Sequence, residues 1–166
     1  MSTLGWIHTI FGTVALVAGT AVLLMRKGTR WHRTLGHIFL TSMIALNIIS
    51  FFMYGLFGSF GPFHWMAVAS LITLLAGMVP VLTRRPKGRW LELHGAFISG
   101  AYVGLIAATA AEVTSRIPGG WHSFSAPITA VTTIIIIGIG VALIRINLHQ
   151  AADRTPARYQ KKGTPS

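Results

Sequence analysis

Cysteine is absent from this chain of 166 residues. Its absence excludes disulfide bonds, thiolate metal sites, iron–sulfur clusters and haem attached covalently in the c-type manner. Any cofactor must therefore be held by imidazole, by carboxylate or by packing.

Acidic residues are nearly as rare, with three Asp and Glu residues against 14 Lys and Arg residues. None of the three lies in the middle of a long apolar stretch, which argues against a transporter that exchanges protons through membrane-embedded carboxylates. Nucleophile-elbow, P-loop and dinucleotide glycine motifs are also missing. The sequence therefore offers no basis for hydrolysis or for nucleotide-driven chemistry.

Long apolar stretches dominate what is present. Hydrophobic residues make up 52% of the chain and charged residues 10%, a composition typical of membrane proteins. Five stretches are long enough to cross about 30 Å of hydrocarbon as helices, at 4–25, 34–57, 62–83, 91–111 and 122–146. We predict an all-α polytopic membrane protein, with a bundle of five transmembrane helices over residues 1–147 and a disordered basic tail over 148–166.

The basic residues alternate along the chain. All but one of the 14 Lys and Arg residues fall within segments 26–33, 84–89 and 145–162, which follow alternate apolar stretches. The positive-inside rule then places the amino terminus outside and the carboxyl terminus in the cytoplasm of a bacterial inner membrane. The same segments predict contact with anionic headgroups, and their confinement to one side argues against nucleic acid as the partner.

The first two apolar stretches resemble the next two. Residues 18–39 and 76–97 share an Ala-Gly pair, a basic hinge, an Arg-Trp pair and a later Gly beside a His. One interpretation is a tandem repeat of 4–57 and 62–111, followed by an unpaired fifth helix at 122–146. Its copies would be related by a pseudo-twofold axis along the membrane normal. Chance similarity between two basic hinges is the alternative.

Histidine accompanies tryptophan at the start of every apolar stretch. Tryptophan is an interfacial anchor, but an ionisable side chain in or near hydrocarbon is costly and suggests a functional site. The predicted topology sorts the histidines into an outer layer of His8, His64 and His122 and an inner layer of His37 and His94. We expect His32, in the basic hinge, and His149, in the tail, to be solvated.

Two facing histidines form the axial arrangement of a low-spin b-type haem. Two layers therefore predict two molecules of haem b, one held by His8 and His64 and one by His37 and His94. Residues without side chains would make room beside the macrocycles, and suitably placed candidates are Gly12, Gly19, Gly36 and Gly95. Our leading hypothesis is a haem protein that carries electrons across the bilayer.

Two alternatives remain open. Glu112 could join His8, His64 and His122 in a site for Zn²⁺ or another divalent ion, which predicts metal binding or permeation. The chain could instead be a non-catalytic subunit or scaffold that contacts a membrane-protein partner, or a second copy, through glycine-rich faces. A visible spectrum with a Soret band would separate the haem hypothesis from both.

Three motifs carry a resemblance to a known family. They are His8-x3-Gly12, Trp31-His32-Arg33-x2-Gly36 and the His94 that opens the fourth helix. Over roughly residues 1–110 the chain resembles a bacterial family of predicted membrane proteins of unknown function. The resemblance implies a membrane protein and no particular activity. Five helices with two histidine layers are also similar in architecture to the transmembrane di-haem cytochromes b, a likeness that does not establish function.

Overall fold

Five α-helices make up the computed structural model, which describes residues 3–53, 58–115 and 126–153. They are α1 (Thr3–Leu24), α2 (Arg30–Ser50), α3 (Pro62–Thr83), α4 (Trp90–Ser115) and α5 (Ala126–Asp153). The prediction of an all-α, five-helix protein is confirmed for the part of the chain that the structure describes.

Four of the helices, α1, α3, α4 and α5, are long and apolar enough to cross a membrane. Helix α2 is more polar because Arg30 and Arg33 lie in its first turn, but it has 21 residues and packs along α1. A helix of that length spans about 30 Å. It contacts α3 as well as α1.

Several helix boundaries differ from those predicted. Helix α2 begins earlier than residue 34, because the Thr29 Oγ1 accepts a hydrogen bond of 3.1 Å from the backbone N–H of His32 and caps the helix. It ends at Ser50, well before residue 57. Helix α5 runs on to Asp153, so residues 148–153 are helical where we expected disorder. Residues 122–125 and 154–166 lie outside the described part of the chain.

The helices pack as two hairpins with one added helix. Contacts are most extensive within the pairs α1–α2 and α3–α4, and the α2–α3 and α1–α4 contacts close the four helices into a ring. Helix α5 packs on α4. A twofold axis that exchanges the hairpins would also exchange the α2–α3 and α1–α4 contacts. The ring therefore has the arrangement expected for the tandem repeat, which stays a prediction.

Two glycines occupy equivalent positions in the hairpins. A Cβ added at Gly19 would lie 3.0 Å from the Phe39 Cδ2, and one added at Gly77 would lie 3.2 Å from the Phe97 Cβ. In both hairpins the phenylalanine follows the glycine by 20 positions, 19 to 39 and 77 to 97. This shared spacing supports the interpretation that the second hairpin repeats the first.

The middle of the ring is filled by an apolar cluster that we call the apolar belt. It consists of Ala15, Ala18, Phe39, Met43, Leu46, Leu74, Ala101 and Leu105. Two polar contacts link helices near it: the Asn47 Nδ2 donates to the Ser70 Oγ at 2.9 Å, and the Thr20 and Tyr102 hydroxyls lie 2.6 Å apart. The belt separates the two polar ends of the bundle.

The outward faces of the helices are apolar and exposed. Val17 is 66% exposed and Ile134 is 69% exposed, and many other large apolar side chains are exposed in the same way. A water-soluble protein rarely exposes so much contiguous apolar surface. The outward faces are those of a protein surrounded by lipid.

Candidate functional site

The two ends of the bundle differ in charge. Neighbouring helices are antiparallel, so the starts of α1 and α3 lie at the same end as the final turns of α2 and α4. We call this the far end. The basic end contains the hinges at 25–29 and 84–89, together with the basic residues Arg26, Lys27, Arg30, Arg33, Arg84, Arg85, Lys87 and Arg89. His8 and His64 belong to the far end, whereas His32, His37 and His94 belong to the basic end.

At the far end an imidazole meets a carboxylate. The His8 Nε2 on α1 lies 3.7 Å from the Glu112 Oε2 on α4, with their side chains 18% and 35% exposed. The other ring nitrogen, the His8 Nδ1, lies 3.5 Å from the Ser50 Oγ at the end of α2. Three helices therefore each contribute one polar group to this point.

The His8–Glu112 separation is close to that of two ligands of one metal ion. A tetrahedral zinc ion with ligands at about 2.0–2.1 Å holds neighbouring ligand atoms about 3.3 Å apart. The observed 3.7 Å would have to shorten by only a few tenths of an ångström. Imidazole and carboxylate are also a ligand combination that Zn²⁺ accepts.

His64 is held in a different way. Its side chain is 2% exposed, its Nδ1 accepts a hydrogen bond of 3.1 Å from the Gly61 N–H, and its ring centroid lies 4.8 Å from that of Phe60. Because Nδ1 is the acceptor, the neutral ring carries its proton on Nε2. In this geometry the His64 Nε2 presents an N–H to its surroundings rather than the lone pair that an iron or zinc ion requires.

The four glycines that we predicted to contact haem differ in their surroundings. At Gly19 an added Cβ would lie 2.5 Å from the Tyr102 Cδ2, so the Tyr102 ring fills the space that a macrocycle would need. At Gly12 it would lie 3.6 Å from the Leu46 Cδ1, an ordinary packing contact. Gly36 and Gly95 have open space beside them within 4 Å. Room beside a backbone is thus found toward the basic end.

His94 is oriented by a backbone carbonyl at the basic end. Its Nδ1 lies 2.9 Å from the Gly77 carbonyl oxygen, and the ring is half-buried. A carbonyl only accepts, so the His94 Nδ1 is the donor. The neutral ring therefore carries its lone pair on Nε2, which is the state in which histidine binds a metal.

His32 is half-buried, so our expectation that it would be solvated was wrong. Its Nδ1 is buried and has no hydrogen-bond partner within the described residues. Burial, and then the charge of Lys27 and the nearby His94, lower the pKa of His32 and favour the neutral ring.

His37, which we predicted as the partner of His94, lies on an exposed part of α2. Its Nδ1 is 2.6 Å from the carbonyl oxygen of Arg33 in the same helix. His32 is instead the half-buried histidine of α2. Helical phase contained this information: His32 lies seven residues before Phe39 and fourteen before Leu46, both buried, so all three share one face.

Lys27 caps the C-terminal end of α1 with its side chain. Its Nζ donates to the carbonyl oxygens of Val22 at 2.7 Å and Leu23 at 2.9 Å. A cation is favourable at a helix C-terminus because the last carbonyls have no partner within the helix. Burial lowers the pKa of Lys27 from its usual value.

Two further candidate residues, Glu92 and His122, do not join the far-end group in the described part of the chain. Glu92 pairs with Arg89 at 3.3 Å on the exposed surface of the basic end and takes no part in the far-end group. His122, which we proposed as an alternative metal ligand, lies outside the described residues. Among those residues, no group of three or more histidine and acidic side chains is arranged to hold a metal ion, so the far-end pair would need water or a further residue to complete a coordination sphere.

Comparison with known proteins identifies the family but no activity. The family described as "Predicted membrane protein (DUF2306)" matches residues 5–151, which is most of the chain. No curated protein and no solved structure matches the chain. The likeness to di-haem cytochromes b stays a prediction. With the apolar helices and the extent of this match, the chain belongs to the DUF2306 family of predicted membrane proteins.

Proposed function

We propose that this membrane protein binds a divalent metal ion at the far end of the bundle, with His8 and Glu112 as ligands. The observation that carries the proposal is the 3.7 Å contact between the His8 Nε2 and the Glu112 Oε2. The ion would belong to the class that accepts mixed nitrogen and oxygen ligands, of which Zn²⁺ is the representative.

The surroundings of His8 favour a ligand role. A ligating histidine usually directs its other ring nitrogen to a hydrogen-bond acceptor, which fixes the tautomer. The Ser50 Oγ, 3.5 Å from the His8 Nδ1, is positioned for this at the long limit of a hydrogen bond. With the proton on Nδ1, the Nε2 lone pair points toward Glu112. Binding an ion there would compete with protons for both groups, so affinity should fall at acidic pH.

Zinc affinity tests the proposal. Glu112→Gln, which keeps the shape of the side chain and removes its charge, should weaken Zn²⁺ binding to the purified full chain on the order of 100-fold, since a carboxylate ligand is lost. His8→Ala should weaken binding to a similar extent. The measurement is isothermal titration calorimetry in detergent.

Two variants are matched controls for zinc binding. Glu92→Gln removes an exposed carboxylate at the basic end, and His37→Ala removes an exposed imidazole. Both should bind Zn²⁺ as the unaltered protein does. If Glu112→Gln and Glu92→Gln have the same affinity, the His8–Glu112 contact is an ion pair and no metal site.

A b-type haem protein that carries electrons is the second candidate, and the basic end is the part that supports it. There the His94 Nε2 carries a lone pair, and Gly36 and Gly95 have open space beside them. The far end offers less support for haem, because the His64 Nδ1 accepts a hydrogen bond from the Gly61 N–H and the neutral ring then carries its proton on Nε2. A Soret band with sharp reduced α and β bands in the purified protein selects haem. A colourless protein that also binds no Zn²⁺ would favour the remaining hypothesis, a non-catalytic subunit or scaffold.

We further propose that the far end faces the outside of a bacterial inner membrane and the basic end faces the cytoplasm, where its hinges would contact anionic headgroups. Single cysteines at Ser59, exposed at the far end, and Lys87, exposed in a basic hinge, test the orientation. In intact cells a membrane-impermeant maleimide should label the Ser59 position and spare the Lys87 position. The reverse pattern would invert the orientation.

A further inference from the structure

A shallow groove runs along the outward seam between α1 and α2, in the half of the bundle nearest the basic end. It has a volume of about 270 Å³, and the side chains that line it include Val17, Ala18, Ala21, Leu35 and Ile38. Thr13 also lines it, but the Thr13 hydroxyl donates to the Thr9 carbonyl oxygen of its own helix at 2.8 Å. The groove is therefore apolar and suits a hydrocarbon chain.

Small side chains leave this space open on the α1 side. Ala18 and Ala21 lie about one turn apart on α1, and both line the groove. In the alignment of residues 18–39 with 76–97, Ala21 corresponds to Val79, which is exposed on α3. The second hairpin thus has a larger side chain where the first hairpin has room.

The length of the groove indicates the kind of occupant. Along α1 it runs from Ala21 to Thr13, about 12 Å of helix. The hydrocarbon of a single leaflet is about 15 Å thick, half of the whole layer. A partner helix or a second copy would need a contact surface across the whole layer, whereas a lipid chain occupies only its own leaflet. The length therefore favours an acyl chain.

An aromatic and a basic side chain lie at the hinge end of the groove. Trp31 precedes Leu35 by four residues and Ile38 by seven, so it lies on the same face of α2. The guanidinium carbon of Arg30 lies 5.7 Å from the centre of the Trp31 ring. A stacked guanidinium keeps the N–H groups in its plane free for phosphate oxygens. Arg30 forms no ion pair within the described residues, so its charge is available to an anionic headgroup.

We propose that this groove binds one anionic diacyl phospholipid of the leaflet at the basic end. One acyl chain lies in the groove, and the phosphate lies at the Arg30 and Trp31 side chains. The proposal rests on the proposed contact between the basic hinges and anionic headgroups, and it assigns one lipid to one place. It does not depend on the far-end metal site.

Native mass spectrometry of the full chain in detergent tests the headgroup contact. The probe is dioleoylphosphatidylglycerol, and dioleoylphosphatidylcholine, which has the same chains and no net charge, is the reference. The unaltered protein should bind one phosphatidylglycerol about 5-fold more tightly than phosphatidylcholine, the effect of one basic residue near the surface. Arg30→Gln should remove this preference. Arg85→Gln, which alters an exposed arginine in the other hinge, should keep it.

Filling the groove tests the acyl-chain contact. Ala21→Leu should weaken the binding of both lipids on the order of 10-fold, because several methylene contacts are lost. Ala142→Leu is the matched control, since it adds the same atoms at an exposed position of α5 shortly before Arg145. It should bind both lipids as the unaltered protein does. Thermal unfolding in detergent establishes that each variant is folded.

Two outcomes would overturn the proposal. A preference for phosphatidylglycerol that is the same in the unaltered protein, Arg30→Gln and Ala21→Leu would mean that the hinges contact headgroups diffusely and that the groove selects no lipid. Equal binding of the two lipids by the unaltered protein would remove the proposed headgroup contact as well. Neither outcome bears on Zn²⁺ binding at the far end.

Discussion

Gly140→Ala should destabilise the contact between α4 and α5 by about 1–3 kcal/mol, the usual cost of overpacking. An added Cβ would lie 2.6 Å from the Val103 Cγ2 and 3.0 Å from the Val103 Cβ, and it would also overlap Cγ1. Valine is stiff about χ1, so its methyl groups cannot turn away, and the two helices would have to separate. The effect is measured as a lower thermal unfolding midpoint in detergent.

Gly138→Ala is the matched control because it lies two positions away in the same helix, where an added Cβ meets nothing within 4 Å. Alanine is the better helix former, so this variant should be as stable as the unaltered chain or slightly more so. Combining Gly140→Ala with Val103→Ala should restore part of the lost stability. Equal midpoints for the two glycine variants would mean that α5 does not pack on α4 through Gly140.

His64→Ala should lower the stability of the protein by about 3 kcal/mol, from the cavity left by a buried ring and the loss of a hydrogen-bond acceptor. The His64 ring is 2% exposed and packs on Phe60, and its Nδ1 accepts from the buried Gly61 N–H at the start of α3. His64→Asn keeps a side-chain acceptor near Gly61 and should recover part of the loss. Thermal unfolding gives both values.

The same variants decide whether His64 belongs to the metal site. If its role is to fix the start of α3, His64→Asn should bind Zn²⁺ with unchanged affinity while its unfolding midpoint falls. A folded His64→Asn that binds Zn²⁺ much more weakly would place His64 beside His8 and Glu112 as a ligand, as in our alternative sequence-based hypothesis.

Hydropathy predicted the helices well because crossing a membrane is a property of each segment by itself. The five apolar stretches became five helices, and the basic residues of the first two segments gathered at one end of the bundle. Boundaries were less predictable. The cap at Thr29 added a turn to the start of α2, and helix-forming residues carried α5 past its apolar part to Asp153.

The depth of the histidines could be predicted, but their partners could not. Position along a helix gave two layers, whereas direction around the helix decides which side chains meet. His37 was chosen over His32 because it lies deeper in α2, although helical phase with Phe39 puts His32 on the buried face. The contact between His8 and Glu112 depends on α1 lying next to α4, which no local pattern in the sequence specifies.

The glycines illustrate the same limit. Gly19 was predicted to make room for a macrocycle, and a glycine there is needed, but for the Tyr102 ring. The sequence indicates that something approaches the backbone closely. Only the arrangement of the helices determines which group it is.

The apolar belt also determines how the protein responds to an energised membrane. At its level the helices carry no Asp, Glu, Lys or Arg, so no fixed charge lies within the layer across which a transmembrane voltage falls. A voltage does work only on charge that moves through this layer, about 2.3 kcal/mol per elementary charge for each 100 mV. Because the charged side chains of the described helices are held at the two ends, changing the membrane potential should leave the arrangement of these helices unchanged.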